Sequence, residues 1–121
     1  MSNPSGDERA VYKVLNDTAW DEACRQGAFA GSADDVRDGF IHLSAAHQLA
    51  GTVAKYFRGR ADLVLVAFDS AALGAALTWE PSRGGNLFPR LYAALPTAAA
   101  LWTRPLPLGD DGVPALPQDL S

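Results

Sequence analysis

The chain is poor in the residues that most often anchor metal or redox chemistry, with one cysteine, one methionine and two histidines among 121 residues. Cys24 stands alone, so no intrachain disulfide can form and no multi-cysteine metal site is available. Long apolar runs are also missing: none approaches the ~20 residues that span a bilayer, so no membrane partner is expected. Positive charge is scarce. The formal net charge of −4 gives no long-range attraction for nucleic acid or an anionic membrane surface, though a local basic pocket stays open. The start, Met1-Ser-Asn-Pro-Ser-Gly-Asp-Glu-Arg, has no apolar core of the secretory type, and a cytoplasmic location is expected.

What is present has ordinary globular proportions, 48% hydrophobic and 20% charged. A loose leader is expected over residues 1–10 and one globular domain over 11–121. Val11-Tyr12-Lys13-Val14-Leu15 reads as a first strand. Thr18 and Asp21 have capping-box spacing; Trp20, Ala23 and Cys24 share a helical face, with Cys24 as a small buried hydrophobe, and Gly27 is a natural stop. Phe29 to Asp38, with three aspartates, reads as a surface loop.

Gly39 to Ser44 reads as a second strand, with Ser44 placed to cap a second helix carrying the Leu49/Val53/Phe57 stripe. Leu63 to Phe68 is an unbroken apolar run, expected as a central strand beside the one holding His42. Leu77 to Glu80 reads as a strand stopped by Pro81, and Ser82 to Asn86 as a Gly-Gly loop. Weaker strand signals cover Phe88–Leu95 and Ala98–Thr103, and a proline-rich tail with a tight turn follows. The expected class is α+β, a mixed sheet carrying two helices.

The stretch Asp38-Gly39-Phe40-Ile41-His42-Leu43-Ser44 carries the strongest chemical signal. A polar ring buried without partners costs about 1–3 kcal/mol, so His42 must be hydrogen-bonded or face a cavity. Ser44 lies two residues on, roughly 7 Å along the same strand face, where the pair can hold one ligand between them. A satisfied core histidine beside a capping serine is the competing account. Glu80, at a strand end before a glycine loop, is either a solvated carboxylate or one that stabilises a cationic transition state. Arg83 and Arg90 flank that loop as surface charges or as paired donors for a phosphate. Lys13 is a snorkelling edge lysine or a pocket cation. His47 sits on a different element from His42, and no ligand set for a metal is evident.

Together these segments, with Trp79-Glu80-Pro81-Ser82 and Leu87-Phe88-Pro89-Arg90-Leu91-Tyr92, resemble a family of small bacterial proteins grouped as a domain of unknown function, DUF952. That family is more remotely similar to ADP-ribosyltransferase-like folds, in particular RNA 2′-phosphotransferases. The resemblance implies a pocket for NAD or an ADP-ribose-type ligand, with His42 and Ser44 at the nicotinamide-ribose end. Lys13 then stands where those transferases usually carry a histidine, and Arg90 where the family pattern favours one. If the domain is catalytic, the resemblance implies attack at the nicotinamide-bearing ribose carbon, with Glu80 or a bound phosphate stabilising the developing positive charge. A non-catalytic binding module and an interaction domain are the alternatives.

Overall fold

The computed structural model describes residues 9–120, and its architecture is α+β. Strands β1 (Ala10–Asn16), β4 (Leu63–Asp69) and β8 (Ala100–Leu106) form an antiparallel sheet with β4 in the centre. The apolar run predicts that central place, because only a strand covered on both faces can bury consecutive hydrophobes. Its even positions, Val66 and Phe68, enter a core with Val11, Leu15, Trp20 and Ala23; its odd positions, Leu63, Leu65 and Ala67, enter another with Tyr12, Leu49 and Val53. Helix α1 (Asp17–Gln26) therefore covers one face and α3 (Leu49–Tyr56) the other.

A second antiparallel sheet, in the order β3 (Ile41–His42), β6 (Leu87–Leu91), β5 (Leu77–Pro81), adds Ile41 and Leu91 to the α1-side core. Strands β2 (Ala28–Phe29) and β7 (Leu95–Pro96) form a short separate ladder. Two further short helices are α2 (Ala33–Asp38) and α4 (Ser70–Leu73). The sheets meet where Tyr12 and Ser44 exchange backbone hydrogen bonds of 2.8 and 3.0 Å.

Several expectations are corrected. Four α-helices occur among the described residues where two were expected, and every strand pairing there is antiparallel, not mixed. β4 does not lie beside the strand of His42, whose ladder partner is β6. Thr18 lies inside α1, whose N-cap is Asn16, while Gly27 ends the helix in the left-handed region at φ 90°. Cys24 is exposed, since Trp20 and Ala23 define the inward face and Cys24 falls beyond its edge. Residues 29–38 are no plain loop: Phe29 belongs to β2, and α2 occupies the whole of the second half. Of the leader, residues 1–8 lie outside the described residues, and Ala10 already pairs with Asp69.

Candidate functional site

The site begins with a helix start. Ser32 Oγ accepts from the Asp35 amide at 3.2 Å, and Asp35 Oδ2 accepts from the Ser32 amide at 2.9 Å, a capping box that nucleates α2. Gly39, at φ 86°, ends the helix within two turns and returns the chain into β3. That return brings His42 against Asp35, whose Oδ1 accepts from the His42 amide at 3.0 Å and lies 2.6 Å from ring Nδ1. From β1, Lys13 Nζ donates to both Asp35 oxygens, at 3.1 and 3.3 Å, and to the His42 carbonyl at 2.9 Å. Lys13 is thus neither snorkelling nor at a free edge. It is buried in the same ion pair that orients His42.

An ionised carboxylate only accepts, so the Nδ1 proton points at Asp35 and fixes the ring's rotation. The opposite nitrogen, Nε2, lies 3.0 Å from Asp38 Oδ2. The half-exposed ring also stacks on Phe40 with centroids 4.5 Å apart. Burial pushes the Asp35 carboxyl up, but the Lys13 charge, the His42 ring and the two backbone amides outweigh it and hold the pKa at about 2. Burial moves Lys13 the other way, lowering its ammonium below the ordinary value of 10.5 against the opposing pull of Asp35.

The Asp35 shift carries a stability consequence. A carboxyl depressed from its ordinary 3.8 to about 2 stabilises the fold above the unfolded-state value. This contribution, about 2 kcal/mol, is lost as the pH falls from roughly 4 to 2. Urea melts at pH 5 and pH 2.5 should show that loss, and an Asp35→Asn protein should lack this component of the acid sensitivity.

His42, Lys13, Ser44 and Arg90 line one open cleft of about 620 Å³ between α2, α3 and β6. Ser44 does not cap a helix. Its Oγ lies 3.0 Å from Thr52 Oγ1, and Thr52 in turn donates to the Gln48 carbonyl at 3.1 Å. The single Thr52 proton is used there, so the Ser44 hydroxyl is the donor in the pair.

Arg90 is the ladder partner of both His42 and Thr78, which sets the three side chains in one row on one sheet face. Its guanidinium stacks 4.5 Å from Phe40, donates to Glu80 Oε1 at 3.0 Å and to the Pro81 carbonyl at 3.3 Å. Glu80 also accepts from Tyr92 Oη at 2.7 Å and Thr78 Oγ1 at 3.1 Å. The Tyr92 bond, with Thr78 and Arg90, holds its carboxyl below the ordinary range. Glu80 does not line the cleft with His42 and Ser44; it holds Arg90 from behind. Arg83 lies in the turn Arg83–Gly85 that follows β5. Sequence reasoning missed Asp35 and Asp38. The Ser32-x-x-Asp35 spacing was a visible signal for the helix start, but nothing local marks the carboxylate as buried. Among the described residues, no group of three or more His, Cys, Asp or Glu side chains is arranged to hold a metal.

The comparisons with known proteins agree on kinship. The family model described as a protein of unknown function, DUF952, matches residues 14–103. The crystal structure of protein CC0527 from Caulobacter crescentus is 50% identical over 88% of this chain and 94% of that one, with a TM-score of 0.86. The solution structure of the same protein gives a TM-score of 0.81 over 89% and 93%. No curated protein matches the chain. Among the described residues no helix is long and apolar enough to cross a membrane.

Proposed function

That the chain belongs to the DUF952 family is the premise from which we propose that its cleft binds a small anionic, ribose-containing ligand of the NAD or ADP-ribose type. The observation that carries the reading is the fixed imidazole. Two buried charges, Lys13 and Asp35, hold one half-exposed ring at the wall of a cleft. A buried ion pair is rarely the most stable solution for a core, and apolar side chains of similar volume often serve better. Its presence behind His42 fits a ring that must keep one orientation toward a ligand. The resemblance of Val11–Leu15 and His42-Leu43-Ser44 to the RNA 2′-phosphotransferases supports the same assignment, as an analogy between folds.

In this reading Ser44 meets a ribose hydroxyl, the His42 ring, with both nitrogens turned to carboxylates, walls the cleft beside it, and Arg90, held in place by Glu80, meets a phosphate oxygen. Arg83, on the loop at the end of β5, is a second arginine for the same anion. Glu80, committed to three donors and outside the cleft wall, acts as a positioning residue. That commitment favours a binding module over a transferase, because the carboxylate expected to stabilise a ribosyl cation is occupied elsewhere.

Thermal shift with NAD, ADP-ribose, ADP and adenosine tests the proposal. Ribose-bearing anions should raise the melting temperature with concentration, by about 2.7 kcal/mol of stability at a hundredfold excess over Kd. His42→Ala should abolish the effect, and Glu80→Gln should weaken it severalfold by releasing Arg90. NAD should emerge intact, whereas release of nicotinamide would establish a transferase or hydrolase instead. Absence of any concentration-dependent shift, or an unchanged response in His42→Ala, would overturn the reading.

A further inference from the structure

We infer that Phe40 is a positioning residue of the cleft, whose ring ties Arg90 to His42 and fixes the guanidinium against the imidazole wall. This rests on the reading of the cleft as an anion site and adds the residue that orders its arginine. Phe40 lies immediately before β3 and Tyr92 immediately after β6, just beyond the Ile41–Leu91 pair. Ile41 and Leu91 fill the α1-side core, whereas Phe40 belongs to neither hydrophobic core and is partly exposed. Alternation along the strand sets Phe40 and His42 on the face away from Ile41. Core burial therefore does not account for an aromatic ring at this position.

Its contacts do. The Phe40 ring centroid lies 4.5 Å from that of His42, 4.5 Å from the Arg90 guanidinium carbon and 5.5 Å from the Tyr92 ring. Arg90 and the Tyr92 hydroxyl both donate to Glu80 Oε1, at 3.0 and 2.7 Å. Phe40, Arg90, Glu80 and Tyr92 thus form a closed circuit of contacts, and His42 joins it through the Phe40 ring. A guanidinium is drawn to the face of an aromatic ring by the ring's quadrupole. That stack, with the hydrogen bonds to Glu80 and the Pro81 carbonyl, orders the long side chain before any ligand arrives. The remaining guanidinium N–H groups are then available to an anion with less ordering entropy left to lose. A leucine in place of Phe40 would occupy similar apolar space but offer neither the quadrupole nor the flat surface.

Phe40→Leu removes the ring and Phe40→Tyr keeps it, so the pair separates positioning from mere filling of space. In the ligand-free protein, NMR should show the Arg90 Nε–H exchanging with water severalfold faster in Phe40→Leu, with the His42 ring signals displaced. Phe40→Tyr should keep the wild-type exchange rate. Titration calorimetry with ADP-ribose should give a Kd about tenfold higher for Phe40→Leu and within twofold of wild type for Phe40→Tyr. In an Arg90→Ala background the same Phe40→Leu change should cost less than twofold, because Phe40 acts on the anion through Arg90. Circular dichroism melts check folding; if Phe40→Leu does not fold, Phe40→Met, also apolar and ringless, takes its place. Unchanged Arg90 exchange or unchanged ADP-ribose affinity in the ringless variant would overturn the inference while leaving the ribose-anion reading intact. So would a loss as large in the Arg90→Ala background as in wild type. If the wild-type protein binds no ADP-ribose, the ribose-anion reading fails, and the ligand-free exchange rates still decide whether Phe40 holds Arg90.

Discussion

Asp35→Asn is expected to destabilise the protein by about 3–5 kcal/mol, the usual cost of leaving a buried charge without its counterion. Lys13 cannot escape to water: its side chain is 9% exposed and that of Asp35 2%. The ammonium would be left with the His42 carbonyl and a neutral amide. Lys13→Met should cost a comparable amount, because Asp35 would then be buried with amides and an imidazole alone. The double variant should be less damaged than the sum of the two singles, with a coupling energy on the order of 1–3 kcal/mol. Urea denaturation of all four proteins completes the cycle. Strict additivity would mean that the pair is not an energetic unit, and the explanation for the orientation of His42 would fall with it.

Phe68→Ala should cost a similar amount, about 3–5 kcal/mol, for a different reason. Phe68 has no exposed surface and meets Trp20 edge to face with centroids 5.8 Å apart. It shares a core with Ile41, Leu43 and Leu91 of the second sheet, so its removal leaves a cavity at the junction that sets β3 against β1. A loss of this size is a large part of the ~5–15 kcal/mol that holds a typical domain together. Leu101→Ala on β8, where the side chain is half exposed, serves as the control and should change stability by less than about 0.5 kcal/mol. Equal effects at the two positions would contradict the assigned core.

The regular parts of this fold are legible in the sequence because each is driven by local pattern. The Leu63–Phe68 run can be satisfied only by a strand covered on both faces, and Leu49 and Val53 mark the inner stripe of α3. The α2 segment is hidden because nothing apolar drives it. Its sequence, Ala33-Asp-Asp-Val-Arg-Asp38, is polar, with Val36 exposed, and its anchor is a carboxylate whose partners come from β1 and β3. Charge in a linear sequence reads as surface, so Asp35 and Asp38 look like loop residues until Lys13 and His42 are brought to them.

The same limit applies to the candidate site. His42 is conspicuous as a polar residue in an apolar strand, and Lys13 as a charge inside another, but their meeting depends on the Tyr12–Ser44 bridge between sheets. Glu80 was misplaced because its surroundings are set by the β5–β6 register, which puts Thr78 opposite Arg90 and Glu80 opposite Phe88. From sequence position alone it is a free strand-end carboxylate. In the fold it is the back support of an arginine.

The central claim is that the cleft walled by His42 takes a ribose-bearing anion, and backbone amide NMR during titration with ADP-ribose tests it most directly. The account predicts saturable shifts concentrated at Lys13, His42, Ser44, Thr52, Lys55 and Arg90, with the β2–β7 ladder and the β8 edge unmoved. Shifts that fail to saturate, or that cluster away from His42, would contradict it.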